Sequence, residues 1–344
     1  MPIYLLKENS MQKRLFGKLA DGREVFCYKI TNGNASATIM EYGATVTSLC
    51  PFGETDVVGG FDTLLDYLND NSNQGAVIGR VSNRIKDARF EIDGAVYKLH
   101  ANDNKNCLHS GTGFQRRLWQ TVDLTKNSVT LKYFSPDGED GFPANLTVFV
   151  KYTLKNSALI ICYKAQADAK TPIALTNHAY FNLDGFGGDI KNHSVQIWAD
   201  RYTEVDDELI PNGKRPLVAN TPLDFTRLKK IGESFCESFN GYDHNMIASP
   251  KIYKEFGGKT VGLLAKVENS KMTMNMYSDQ PGLQFYTGNF LGDGPDFKGG
   301  VAQIRYGGLC LETQTEPNCV NHSKAIYKKD EDYLQLTAYE FILK

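Results

Sequence analysis

Apolar and polar residues alternate along most of this chain, the period of a strand buried on one face. The segment from Arg89 to Leu99 shows it most clearly: Asp93-Gly94 is a strong signal for a two-residue hairpin turn, which pairs Ile92 with Ala95 and Phe90 with Tyr97. Ala88, Phe90, Ile92, Ala95, Tyr97 and Leu99 then share one face, while Arg89, Glu91 and Lys98 face out. Turn and pattern thus agree on the register. A second hairpin is predicted from Leu146–Leu154 and Leu159–Ala165 across Lys155-Asn156-Ser157. Further strands are expected over 24–31, 37–49, 118–123, 128–134, 195–198, 261–267, 271–278, 282–286 and 333–342, many of them separated by Gly, Asn or Asp. No 3.6-residue stripe is sustained, and only 64–68 and 228–231 read as short helices. Regular strands without alternating helices predict an all-β fold, a large antiparallel β-sandwich with a few short helices. No repeat, low-complexity tract or linker marks a boundary, so residues 1–344 are expected to form a single domain.

Composition narrows the function classes. The 344 residues are 41% hydrophobic and 23% charged, those of an ordinary globular protein, and the net charge of -2 offers no basic excess for nucleic acid or anionic lipid. Met1 to Asn9 lacks a basic n-region followed by an apolar stretch, and no run is long enough to span a bilayer, so a cytoplasmic protein without a membrane partner is expected. Seven cysteines, an odd number with several inside apolar runs, fit free thiols in a reducing compartment.

Several motifs fail on inspection. Gly257-Gly258-Lys259-Thr260 ends like a phosphate loop, but Tyr253 stands where glycine is needed and a strand follows instead of a helix, so it reads as a turn. No G-x-G-x-x-G or G-x-S-x-G is present in the required context, which removes nicotinamide and serine-hydrolase chemistry from the front rank. Cys107-Leu108-His109 has no second pair at zinc-finger spacing, and Asp137-Gly138-Glu139-Asp140 lacks calcium-loop spacing and reads as a solvated turn; no metal is expected.

The chemistry concentrates elsewhere. Glu312 is the lone charge in Gly307-Gly308-Leu309-Cys310-Leu311-Glu312-Thr313-Gln314, a run that reads as a buried strand with Leu309, Leu311 and Thr313 on one face and Cys310, Glu312 and Gln314 on the other. Taken alone, it is as readily a structural glutamate satisfied by hydrogen bonds as a general base tuned by apolar surroundings. Of six histidines, His178 lies where polar groups interrupt aromatic ones, as in a pocket, and by itself reads slightly better as a core histidine. His109 sits in a Gly-rich loop that permits close approach to a ligand, or simply in water. Asn83-Arg84, Asp243 and Gln284 are placed to bind hydroxyls, with a surface ion pair, a turn cap and an ordinary strand residue as the plain alternatives.

Taken in order, Gly79 to Ile85, the hairpin ending at Leu99, Asn106-Cys107-Leu108-His109-Ser110-Gly111, Pro136 to Pro143, Thr176 to Leu183, Tyr242-Asp243-His244-Asn245, Gly282 to Phe290 and Leu311-Glu312-Thr313-Gln314 resemble the aldose 1-epimerase (galactose mutarotase) family, from about Phe16 to the C-terminus. The resemblance implies a single large β-sandwich domain that interconverts the α and β anomers of free aldohexoses such as galactose and glucose, without a cofactor and as a monomer or weak homodimer. It further implies Glu312 as base, His178 as acid, His109 near the ring oxygen, and Asn83, Arg84, Asp243 and Gln284 fixing hydroxyls. Ordinary pKa values of about 4.3 and 6.5 leave Glu312 ionised and part of His178 protonated near neutrality, with the Glu312 charge favouring the imidazolium. Two departures from the family pattern, Thr315-Glu316 with Asn318 around Pro317, and Ser110 in place of a frequent glycine, are expected to touch the pocket rim and sugar preference. Two alternatives remain open: a hexose-6-phosphate epimerase, which needs extra Arg or Lys for the phosphate, and a sugar-binding protein of this fold without turnover.

Overall fold

The two hairpins form at the expected positions, and their turns show why. In the computed structural model, which describes residues 12–322 and 324–344, Asp93 and Gly94 have φ of 51° and 82°, and Phe90 faces Tyr97 while Ile92 faces Ala95. Both central residues occupy the left-handed region that a type I′ turn requires. Phe90 and Ile92 are buried, whereas Ala95, assigned to the inner face from the pattern, is exposed. In the second hairpin the strands run further than expected, Leu146–Lys155 against Ala158–Ala167, which shortens the turn to Asn156-Ser157. The reading of Met1 to Asn9 lies outside the described residues.

The second hairpin is the middle of a ten-stranded sheet. Its main path runs from Gln120–Leu124 through Ser128–Ser135, Leu146–Lys155 and Ala158–Ala167 to the last strand, Tyr333–Leu343, and on through Met272–Ser278, Lys259–Glu268 and Ser194–Ile197 to Lys229–Lys230. Against it packs a five-stranded sheet, ordered Tyr180–Phe181, Leu309–Gln314, Gly282–Tyr286, Asp243–Ile247 and Arg201–Tyr202, and the ladders of both sheets are antiparallel. Leu309, Leu311, Leu283 and Phe285 on the inner face of the smaller sheet join Val148, Val150, Tyr152 and Leu154 of the larger one in the main core. Each such fully buried side chain contributes roughly 1.5–3 kcal/mol. The two layers are also stitched by polar contacts: Tyr339 Oη donates to the Leu311 carbonyl at 3.1 Å, and Thr313 and Thr337 hydroxyls meet at 2.6 Å.

Three expectations need correction. The run 37–49 is not one strand but two, Ala35–Met40 and Thr45–Cys50, reversed by a turn with Gly43 at φ 67° and Ala44 at 47°. Residues 228–231 give a two-residue strand, Lys229–Lys230, followed by a 3₁₀ turn over Ile231–Ser234, because the open edge at Ser194-Val195 supplies hydrogen-bond partners that a one-turn helix cannot match. Asp137–Asp140 is not simply solvated: Glu139 accepts from Tyr133 Oη and Ser135 Oγ, each at 2.6 Å, and Asp140 pairs with Arg117 at 3.0 Å. The predicted helix over 64–68 is present as Leu64–Asn69, capped by the Thr63 hydroxyl accepting from the Asp66 amide. Among the described residues no helix is long and apolar enough to cross a membrane, and the seven cysteines are free thiols.

Candidate active site

The outer face of the five-stranded sheet is where Glu312 points. Leu309 and Leu311 turn into the main core, and alternation sends Cys310 and Glu312 the other way. His178 comes from the segment just before Tyr180–Phe181, whose pairing with Leu309-Cys310 carries the ring across to Glu312: His178 Nε2 lies 3.8 Å from Glu312 Oε1, with both side chains under a tenth exposed. On its far side, His178 Nδ1 is 3.6 Å from Cys310 Sγ.

His109 reaches the same point from a separate ladder. Arg84-Ile85 pairs with Cys107-Leu108, and beyond it the chain turns sharply, with positive φ at His109, Ser110, Gly111 and Gly113. This turn brings the His109 ring edge-on to His178 with centroids 5.5 Å apart. The amide of Asn83 donates to His109 Nδ1 at 3.2 Å, and the His109 amide donates to the Asn83 carbonyl at 3.1 Å. One donor atom each from His109, His178 and Glu312 lie within 4.8 Å of one another, a spacing that a transition metal could bridge. The hydrogen bonding argues against that use of His109: its Nδ1 is taken as an acceptor, which places the ring proton on Nε2 and makes the ring a donor rather than a metal ligand.

These groups line a cavity of about 550 Å³ together with Asn83, Arg84, Asp243, Tyr180, Tyr286 and Phe290. Arg84 is held by Asp103, whose Oδ2 accepts from Arg84 Nε at 2.7 Å. Gln284, expected to bind a hydroxyl, is not among the lining residues; buried opposite Glu312 in the ladder, it donates through Nε2 to Asp243 Oδ1 at 2.6 Å and so orients the carboxylate that does face the cavity. Neither Asp103 nor the lip formed by Asn69 to Asn73 was singled out from sequence. Nor do the expected rim departures reach the cavity. Glu316 pairs with Arg215 and Lys324, the Asn318 amide donates to the Arg84 carbonyl at 2.7 Å, and Ser110 is buried behind the loop.

Burial works against the protonation expected from ordinary values. Desolvation lowers His178 from 6.5 to about 4, and it also holds His109 well below its ordinary value, with the His178 and Arg84 charges acting in the same direction. Desolvation likewise raises Glu312 well above the carboxylate range, with Asp243 adding to the rise and Arg84 opposing it. Burial thus favours the uncharged form of each group, protonated Glu312 and neutral His178, over carboxylate and imidazolium. That pair carries the same number of protons as carboxylate beside imidazolium, so one internal transfer interconverts them.

Fold and site define a class of protein: a large antiparallel β-sandwich whose smaller sheet presents a carboxyl, and whose neighbouring segments present two imidazoles, to a cavity lined in part by tyrosines. The family model for aldose 1-epimerase matches residues 27–340. The chain is 39% identical to galactose mutarotase of Mus musculus and 38% to that of Homo sapiens, over 96% of this chain and 98% of each relative, and 36% identical to aldose 1-epimerase of Escherichia coli K12 over 90% and 93%. A solved structure of an aldose epimerase homologue from C. elegans superposes with a TM-score of 0.83 at 27% identity, covering 92% of this chain and 98% of that one. The chain belongs to the aldose 1-epimerase family.

Proposed function

We propose that this protein is a mutarotase, interconverting the α and β anomers of free aldohexoses such as galactose and glucose. The observation that carries the reading is the 3.8 Å approach of His178 Nε2 to Glu312 Oε1 in a cavity that also holds the His109 donor. In the sugar complex Glu312 takes the proton of the anomeric hydroxyl while the bond from C1 to the ring oxygen breaks. Its electron pair goes to the ring oxygen, which receives a proton from His178, and a carbonyl forms at C1. Rotation about the C1 to C2 bond and the reverse transfers close the other anomer. His109 donates to the ring oxygen region, and Asn83, Arg84 and Asp243 fix hydroxyls, with Gln284 acting through Asp243. Opening the ring leaves protonated Glu312 and neutral His178, the pair that burial favours, so the cavity is matched to the open-chain intermediate.

The reaction as written needs no metal or other cofactor. Besides Glu312 and the two histidines, the acidic and basic groups lining the cavity are Asp70, Asp243 and Asp293 against Arg84 alone, a balance that disfavours a phosphate dianion and favours a free sugar over a hexose 6-phosphate. The free thiols support a cytoplasmic location, and we take the chain as a single domain working as a monomer or weak homodimer.

Polarimetry of freshly dissolved α-D-galactose and α-D-glucose tests the activity: catalytic amounts of protein should speed the decay of optical rotation, and a decay at the buffer rate for both sugars would overturn it. Glu312→Gln and His178→Asn should lose turnover while still binding sugar. Wild-type binding without turnover would instead identify a sugar-binding protein.

A further inference from the structure

We propose that Ser110 is a positioning residue for the reaction, setting the orientation and tautomer of His109 from behind; this rests on the mutarotase reading for its kinetic consequence. Ser110 is 1% exposed and lines no part of the cavity. Its hydroxyl bonds twice to one residue of the facing segment, accepting from the Val81 amide at 2.8 Å and donating to the Val81 carbonyl at 2.9 Å. That is the pair of bonds a backbone partner would make in an antiparallel ladder.

The need for it is local. The ladder joining Arg84-Ile85 to Cys107-Leu108 continues at Asn83 and His109, and there the chain enters the left-handed region, with φ of 53° at His109 and 61° at Ser110. Left-handed residues turn the backbone away from its neighbour, so the ladder cannot continue through main-chain groups. The Ser110 side chain continues it instead. It thereby holds Val81 to Asn83 beside the turn, which keeps the Asn83 amide aimed at His109 Nδ1. That one bond decides where the His109 proton sits. Gln115 supports the same turn by donating to the His109 carbonyl at 3.0 Å. Serine at a left-handed position is strained relative to glycine, so the hydroxyl retains a conformation that the residue itself disfavours.

Two variants separate positioning from simple stability. Ser110→Ala removes the hydroxyl and keeps the strain, whereas Ser110→Gly removes both and should melt higher than Ser110→Ala. If the hydroxyl orients His109, both variants lose roughly tenfold in kcat, a displacement of well under the ~1 Å that can cost about a hundredfold, with smaller changes in KM. Long-range ¹H–¹⁵N spectra of the unliganded protein should show the Nε2–H tautomer of His109 in wild type and a mixture of tautomers in both variants. A Ser110→Gly protein with wild-type kcat and an unmixed tautomer would overturn the proposal, as would a defect confined to Ser110→Ala, which assigns the effect to strain. The spectra read the Ser110 claim without turnover, so an inactive wild type defeats only the mutarotase reading.

Discussion

Glu41 and Glu312 are both buried glutamates, and they differ in how many donors surround them. Glu41 accepts from the Phe26 amide at 3.1 Å, Tyr28 Oη at 2.9 Å and Thr121 Oγ1 at 3.0 Å. Glu312 Oε2 has no partner among the described residues. The first is a carboxylate satisfied in place; the second carries a buried oxygen without a partner on a residue that lines the cavity, at a cost of about 1–3 kcal/mol that a structural residue has no reason to carry. The strand pattern singles out Glu312 as a lone buried charge but leaves it evenly balanced between structural and catalytic roles, because donors come from distant segments, and the family resemblance tips that balance. The same limit explains the misjudged protonation, since ordinary pKa values omit burial. The sign of the pH dependence follows. Protonating neutral His178 while Glu312 keeps its proton disables the pair on the acid side, and this occurs near about 4, not 6.5. Removing the proton from Glu312 disables it on the alkaline side, well above the carboxylate range. A plot of kcat/KM against pH should therefore be bell-shaped with its acid limb at about 4, as measured by polarimetry above the buffer rate. Half-loss of kcat/KM near pH 6.5 on the acid side would show that His178 titrates as an exposed histidine.

Elements were legible where a turn announces itself in residues that water also favours. Asp93-Gly94 and Asn156-Ser157 do so, and both hairpins have the expected partners. The reversal between Ala35–Met40 and Thr45–Cys50 does not, because the turn is itself buried: Tyr42 and Ala44 are 7% and 0% exposed, and even Glu41 is taken into the interior, so no cluster of solvated residues marks it. Loops posed the opposite difficulty. Asn102-Asp103-Asn104 has the composition of a solvated loop, yet Asp103 fixes Arg84 by the charge-assisted bond at 2.7 Å. Arg84 makes its proposed contacts to hydroxyls in substrate and transition state alike, so loosening it should weaken binding more than turnover. Asp103→Asn, which keeps an acceptor and removes the charge, is expected to raise KM about three- to tenfold with kcat within about twofold, as a loss of roughly 1 kcal/mol of orientation implies. A fall in kcat at unchanged KM would place Arg84 in the chemistry instead.

Across the whole molecule, the decisive feature is where the last strand goes. Tyr333–Leu343 lies in the interior of the ten-stranded sheet, between Ala158–Ala167 on one side and Met272–Ser278 on the other, and joins segments from the two halves of the chain. Pattern alone found this strand but not its neighbours, since period-two alternation gives each strand a face and says nothing of its partner. The placement couples both halves to the site. Tyr339 on this strand donates to the Leu311 carbonyl, one residue before Glu312, and Gln335 Nε2 donates to the Thr313 carbonyl at 3.1 Å, one residue after it. The backbone on either side of Glu312 is thus pinned by the strand that closes the sheet. The strand pairs with both halves of the sheet, so the chain is expected to unfold as one cooperative unit although its length would allow two domains. Scanning calorimetry is expected to give a single transition whose calorimetric and van't Hoff enthalpies agree, and deletion of residues 333–344 should leave no folded remnant. Two resolved transitions, or a truncated chain that keeps a sharp one, would mean that the halves fold separately and that the site is assembled by docking rather than by a shared sheet.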